Sequence, residues 1–381
     1  MTTEVSTEVP AEVPTEVYVS GYGVFSAFGF GPKALFDGVF SGSPAFRPVT
    51  RFDVSHCRTD RAATYQEEEV NSPGTVDVAS ACGREALEMA GWRSPAELPL
   101  ILATKLRAPS VEPEPPAELT ERVADRLGLG RPRRTFVNAC CAATNAIIHG
   151  AQLVRAGVTS AVLVGGAFLV DRQAFNLFDA AQALAVDGRV RPFDQDRQGV
   201  LLGDGAAMLL LESGESMRAR GAEPLARLAG WAMTDDAFHV AKPHEQGAGV
   251  AAAVTEALHR SGIGADQLTY VNAHGTGTPL NDASEAAGLH TALGRHTEKV
   301  LVSGTKSTTG HALEASGALE SVITLLAIRS AVLPPTAGLS RPDTRHPLRH
   351  VSAPERVDVP YALSLNSSVG GVNAAILLAA A

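Results

Sequence analysis

The sequence predicts an α/β protein built as two similar halves, each a mixed sheet with helices on both faces. Three observations carry that prediction. Apolar runs of strand length alternate with longer, helix-periodic segments along most of the chain. Several of those runs, such as SAVLVGGAFL at 160–169, contain almost no polar residue, as expected of strands buried on both faces. Finally, 36 glycines with only 5% aromatic residues suit helices lying close on a sheet. A chain of 381 residues, 45% of them hydrophobic, is long enough for two lobes rather than one core.

Taken in order, residues 1–16 repeat a short T/A-E-V unit broken by Pro10 and Pro14, and are expected to form a disordered tail. Tyr18 to Ser20 reads as a short strand entering a glycine-rich turn, GYGVFSAFGFG. Gly21 and Gly23 make no dinucleotide fingerprint, because Ser26 stands in the third glycine's place. A helix is expected over 76–91 and a strand over 98–103. RAPSVEPEPPAELTE at 107–121 reads as a loop or lid, overlapping the start of a helix over 119–127. Thr135 to Val137 then run as a strand into TFVNACCAATNAIIHG, an elbow whose helix starts at or just after Cys140.

After the elbow come the strand at 160–169, a helix at 174–184, and RPFDQDRQGVLLGDGAAMLLLES, read as a loop followed by two apolar strands. The polar segment Ser213 to Glu223 divides the halves, giving lobes at 17–215 and 216–381. The second half repeats the theme, with strands at 226–232, 268–272 and 299–303, helices at 249–261, 283–293 and 316–330, and a terminal strand pair.

A net charge of -9 offers no footprint for nucleic acid. The four cysteines, Cys57, Cys82, Cys140 and Cys141, have no CxxC spacing, so neither a metal site nor a disulfide framework is expected and a reduced, cytoplasmic setting is. No apolar run reaches the length of about 18 residues that a membrane helix needs, and the acidic N-terminus does not read as a signal peptide.

The chemistry gathers at the elbow. Unpaired N–H groups and the helix dipole favour a thiolate at a helix start. The dipole contributes only about 1 kcal/mol, under one pKa unit, so other groups must complete the activation. His274, in YVNAHGTGTPLND, and His311, in VLVSGTKSTTGHALEASG, each lie in a Gly/Thr-rich loop just beyond an apolar strand. With Cys140 they supply a nucleophile and two imidazoles at strand ends, where α/β sheets place their sites. The loop NSSVGGVN at 366–373 adds backbone N–H groups suited to an oxyanion hole.

In kind and order, NACCAATNA, RPFDQDRQG, NAHGTGTPLND, GTKSTTGHALEASGALE and NSSVGGVN resemble the motifs of β-ketoacyl-[acyl carrier protein] synthases of the KAS I/KAS II type, condensing enzymes of the thiolase superfamily. The resemblance implies a thiolase-like α/β fold, two duplicated lobes in a five-layered αβαβα sandwich. It implies Cys140 rather than Cys141 as nucleophile, His274 and His311 as the pair that binds an enolate, and Lys306 with Glu320 as their supporting charges. It places the oxyanion hole at the amides of Cys140 and Val369, and the pantetheine arm along Thr276, Thr278 and Gly370. It calls for no metal and no cofactor beyond the phosphopantetheine arm of an acyl carrier protein.

The activity so implied is decarboxylative Claisen condensation of a malonyl-type extender with an acyl group on Cys140, in fatty acid or type II polyketide biosynthesis. The enzyme would be a homodimer or a heterodimer with a related subunit. Two other activities stay open: acyl transfer to an amine or alcohol without decarboxylation, and a chain-length-factor-like role, which the presence of Cys140 opposes. The family's loop NSFGFGGTN is here one residue shorter, with Val369 where a gating Phe is expected. The region 105–134, which in the family carries dimer contacts and part of the acyl pocket, also departs from the pattern. Arg131, Arg133, Arg134, Arg189 and Arg191 are the candidates to receive an acidic carrier protein.

Overall fold

The first strand already departs from the turn expected at 21–31. In a computed structural model that describes residues 15–66, 73–105 and 116–381, β1 runs from Val17 to Ser26. Its glycines make room for a helix instead of a turn: a Cβ on Gly23 would sit 2.1 Å from the Cys82 carbonyl oxygen of α2 (Thr75–Ala90). The expected tail, apart from residues 15 and 16, and most of the Pro- and Glu-rich loop lie outside the described residues.

After α1 (Gly31–Phe40) and α2 the first half continues with β2 (Leu100–Ala103), α3 (Pro116–Leu127), β3 (Arg133–Phe136), α4 (Ala142–Arg155), β4 (Ala161–Phe168), α5 (Arg172–Ala180) and β5 (Gly205–Ser213). The short α6 (Gly214–Ala219) leads to β6 (Ala226–Asp235), α7 (Ala248–Ser261), β7 (Tyr270–Asn272), α8 (Pro279–Leu293), β8 (Leu301–Ser303), α9 (Ser316–Ser330), β9 (Tyr361–Ser367) and β10 (Val372–Ala379).

The strand order β3-β2-β4-β5-β1 of the first half returns as β8-β7-β9-β10-β6 in the second. Directions repeat too. The second strand of each half is parallel to its third and fourth, and the fifth is antiparallel to both of its neighbours. The two sheets join where β1 meets β6, at Tyr18 opposite Arg227 and Val19 opposite Ala226. Helices α2 and α3 cover one outer face, α7 and α8 the other, and α4 packs on α9 between the sheets, which makes five layers.

Period-two alternation supplies both faces of each sheet at once. In β5, Ala207, Leu209 and Leu211 enter the central core while Ala206, Met208 and Leu210 enter the first outer one. In β10, Ala374, Ile376 and Leu378 point inward, and Ala375, Leu377 and Ala379 pack under α7 and α8.

One expected strand is missing. Between residues 191 and 213 only β5 forms. The apolar stretch Val200 to Gly203 instead makes single bridges to three separate segments, at Leu184, His311 and Ala63. Among the described residues no helix is long and apolar enough to cross a membrane.

Candidate active site

The elbow is sharper than a plain strand-to-helix turn. Ala139 adopts the left-handed conformation (φ 53°), which costs an L side chain energy and is concentrated at functional sites. It swings Cys140 into a single 3₁₀ turn, Ala139–Cys141, and α4 begins only at Ala142. The thiol therefore lies just ahead of the helix. Burial pushes Cys140 up to about 12, the Glu314 carboxyl adds to the rise, and Lys306 and the residue's own amide oppose it. The free thiol thus keeps its proton near neutrality and needs an acceptor for it.

That acceptor is in place: His311 Nε2 stands 3.0 Å from Cys140 Sγ. The missing strand explains why. His311 N–H donates to the Leu201 carbonyl at 2.8 Å, and Gly203 N–H donates to the His311 carbonyl at 3.0 Å, so 201–203 clamps the histidine's backbone. The other ring nitrogen, Nδ1, is 2.8 Å from Ser316 Oγ at the start of α9.

His274 follows the C-terminal end of β7. The carboxyl of Glu285 on α8 grips its loop, accepting from His274 N–H at 2.6 Å and from Gly275 N–H at 2.8 Å. Lys306 Nζ lies 3.2 Å from His274 Nδ1. An ammonium has only donors, so Nδ1 accepts and the neutral ring carries its proton on Nε2. The two imidazoles stand 5.4 Å apart, nearly perpendicular. Burial, with Lys306 next, holds both well below the ordinary histidine range, so they are neutral at pH 7. Cys140 Sγ and one nitrogen from each ring all lie within 4.8 Å of one another.

Behind them Lys306 is fully buried. It donates to the His274 carbonyl at 2.5 Å and pairs with Glu320 Oε1. The other Glu320 oxygen accepts from Asn366 Nδ2 at 2.6 Å, and Asn366 Oδ1 accepts from Thr144 Oγ1 at 2.6 Å. One polar chain therefore ties α4, α9 and β9 to the second histidine. Sequence reasoning did not single out Asn366, Ser316, Thr144 or Glu285. The first three sit inside quoted motifs; Glu285, like Thr144, is a polar residue on a helix with buried neighbours, the signal that would have found it.

Cys140, His274, His311, Thr276, Thr278, Val369 and Gly370 line one cavity of about 450 Å³. Thr276 and Thr278 share a 2.8 Å hydrogen bond between their hydroxyls. Val369, at the tip of the β9–β10 hairpin, is 68% exposed. Lys306 and Glu320 stand outside the lining, as supports. The five arginines differ from one another: Arg133 is held by Glu121 and Asp125, Arg131 by Glu121 and Arg191 by Asp187, while Arg134 meets His149.

Burial raises Glu285 to about 8, against the hydrogen bonds from Gly275 and His274. A carboxyl with a raised folded-state pKa keeps its proton while the unfolded chain releases it. The contribution is complete below about pH 4.5 and lost as pH rises toward 8, by up to about 1.4 kcal/mol per pH unit. Urea denaturation at pH 5.5 and 7.5 should therefore show a drop in stability that is smaller in Glu285→Gln; equal drops in both proteins would contradict the assignment.

Two family models match the chain. The description "Beta-ketoacyl synthase, N-terminal domain" covers residues 107–216 and "Beta-ketoacyl synthase, C-terminal domain" covers 225–340, together more than half of the sequence. The chain belongs to the β-ketoacyl synthase family. It is 39% identical over 257 residues to 3-oxoacyl-[acyl-carrier-protein] synthase 2 of Synechocystis sp., covering 66% of this chain and 62% of that protein. The enzyme of the same name from Vibrio cholerae is 36% identical over 283 residues, with 69% and 66% covered. The match thus spans slightly under two thirds of those relatives.

Among solved structures, the ishigamide ketosynthase/chain length factor superposes with a TM-score of 0.88 at 29% identity, covering 97% of this chain and all of that one. A β-ketoacyl synthase from Burkholderia phymatum gives 0.86 at 24% identity, with 96% and 100% covered. These ketosynthases share the fold described above, which is thiolase-like.

Proposed function

We propose that this β-ketoacyl synthase homologue is a working ketosynthase, which joins an acyl group on Cys140 to a malonyl-type extender with loss of CO2. The observation that carries this is the 3.0 Å approach of His311 Nε2 to Cys140 Sγ, beside a second neutral imidazole whose proton is fixed on Nε2. His311 Nε2 takes the thiol proton as sulfur attacks the acyl thioester, with Nδ1–H donated to Ser316. The amides of Cys140 and Val369 receive the developing oxyanion. The pantetheine thiol leaves with a proton.

An extender then enters along Thr276, Thr278 and Gly370. Its carboxylate departs as CO2, and the electron pair becomes an enolate whose oxygen accepts from Nε2–H of His274. The enolate carbon attacks the acyl carbonyl and Cys140 departs as thiolate, to be reprotonated. Catalytic roles for Cys140, His274 and His311, with Lys306 and Glu320 positioning them, fit this sequence of steps. A carrier protein with a phosphopantetheine arm is the partner implied, since the similar relatives are named 3-oxoacyl-[acyl-carrier-protein] synthase 2. Arg189 and Arg134, which have no acidic partner among the described residues, are the better candidates of the five to meet it. The lobe division at 215/216 falls in α6, one residue before the end of the first family-model match.

Mass spectrometry of the protein with acyl- and malonyl-loaded carrier protein tests the reading. Acylation of the Cys140 peptide, CO2 release and a β-ketoacyl product are expected, and Cys141→Ala should preserve all three. Acylation without CO2 would replace condensation by simple acyl transfer.

A further inference from the structure

A second cavity plays no part in the catalytic steps. It measures about 420 Å³, and three arginines, Arg61, Arg189 and Arg191, line it, while none of the described residues in its wall carries a carboxyl group. It shares no lining residue with the cavity that holds Cys140. The loop 275–278 lies between them: Thr276 and Thr278 line the catalytic side, and a Cβ on Gly277 would lie 3.2 Å from Val190 Cγ1 and 3.3 Å from the Arg191 amide nitrogen on the other.

Two glycine turns seat the arginines. Gly188 (φ 70°) and Gly338 (φ 73°) both line the cavity, and a Cβ on the first would sit 3.0 Å from Arg61 Cδ, on the second 3.2 Å from Arg191 Cγ. Glycine thus supplies the left-handed turn and lets an arginine stem lie across it. Asp187 holds the arrangement, accepting from Arg189 N–H at 3.2 Å and pairing with Arg191 Nη2, which also donates to the Asp196 carbonyl at 3.0 Å. Positive charge and donors are left over. Arg191 Nε is buried without a hydrogen-bond partner. Arg61 stands 4.0 Å from the exposed Asp60, a contact of little strength in water, and Arg189 has no acidic partner among the described residues. Phe46, Val190 and Ala337 make another side of the cavity apolar.

We propose that this cavity is a second binding site, which takes a small organic phosphomonoester, with its phosphoryl group on Arg61, Arg189 and Arg191 and its apolar body against Phe46 and Val190. One carboxylate, Asp187, leaves three guanidiniums under-neutralised. A phosphomonoester carries close to two negative charges at neutral pH and offers three acceptor oxygens, which suits planar guanidinium forks better than a carboxylate does. The volume falls in the range of small-molecule sites, and the apolar side accounts for what an inorganic ion would leave unfilled.

Isothermal titration calorimetry of the full chain with phenyl phosphate tests this. Phenyl phosphate should bind, more weakly as salt is added, and benzoate, phenol and inorganic phosphate should each bind at least about tenfold less tightly. The double variant Arg61→Gln/Arg189→Gln alters two exposed side chains and should lose about tenfold or more in affinity, as expected for lost charge-assisted hydrogen bonds. A Kd weaker than about 1 mM for phenyl phosphate on the unaltered protein overturns the proposal. So does benzoate, phenol or inorganic phosphate binding as tightly as phenyl phosphate, or an unchanged affinity in the folded double variant. If the double variant does not fold, Arg189→Gln alone decides. None of these outcomes depends on whether Cys140 accepts an acyl group.

Discussion

Cys140→Ala should abolish the acyl-enzyme and lower the rate of condensation by at least about 10⁴-fold, in line with the loss of a nucleophile from a catalytic unit. The same variant should still release CO2 from malonyl-carrier protein. In the proposed sequence of steps His274 Nε2–H donates to the enolate oxygen; Lys306 and Glu285 hold that histidine, and none of their contacts involves the thiol. Removing sulfur therefore takes away the acyl acceptor while leaving the enolate donor in place. Radiolabelled CO2 release measured beside product formation separates the two. If both fall together, the histidines depend on Cys140 for their arrangement and the division of labour proposed above is wrong.

How far the sequence revealed this site depended on the kind of information each part needed. The order of strands and helices was readable because apolar periodicity is local, and most elements fell within a few residues of their expected bounds. The turn expected after Ser20 and the extra strand near Val200 failed for a shared reason: both depend on what another segment does nearby. Gly23 is small because α2 crosses it, and Val200 to Gly203 serve three different neighbours rather than a ladder.

Cys140 was legible as a thiol at a strand-to-helix elbow, and both histidines as residue types in Gly/Thr-rich loops. What the sequence did not disclose was how they are held. Asn366 connects Thr144 of α4 to Glu320 of α9 across the lobes, and nothing local in NSSVGGVN marks that asparagine as a bridge. A small helix-start effect on the thiol was expected, with other groups completing its activation. Instead Cys140 precedes the helix, and burial outweighs any dipole effect, which moves the burden of activation onto His311.

Lys306→Met is expected to show how much of the site rests on that hidden support. It leaves Glu320 as a buried carboxyl whose remaining partner is Asn366, so stability should fall by about 3–5 kcal/mol. It also removes the nearer of two donors to His274 Nδ1, leaving the Asn366 amide at 3.5 Å. With Nδ1 held less firmly as an acceptor, Nε2 no longer always donates, and decarboxylation should slow by about 10²–10³-fold, the cost of one preorganised donor. The double variant Lys306→Met/Glu320→Leu distinguishes the two effects. Replacing a buried ion pair by apolar groups of similar volume is often neutral for folding, so most of the stability should return, less the cost of an unpaired Asn366 amide. The catalytic defect should persist, because the nearer donor to His274 is still missing. Recovery of activity together with stability would mean that the pair acts only through the fold and that the proton on His274 is fixed by other contacts.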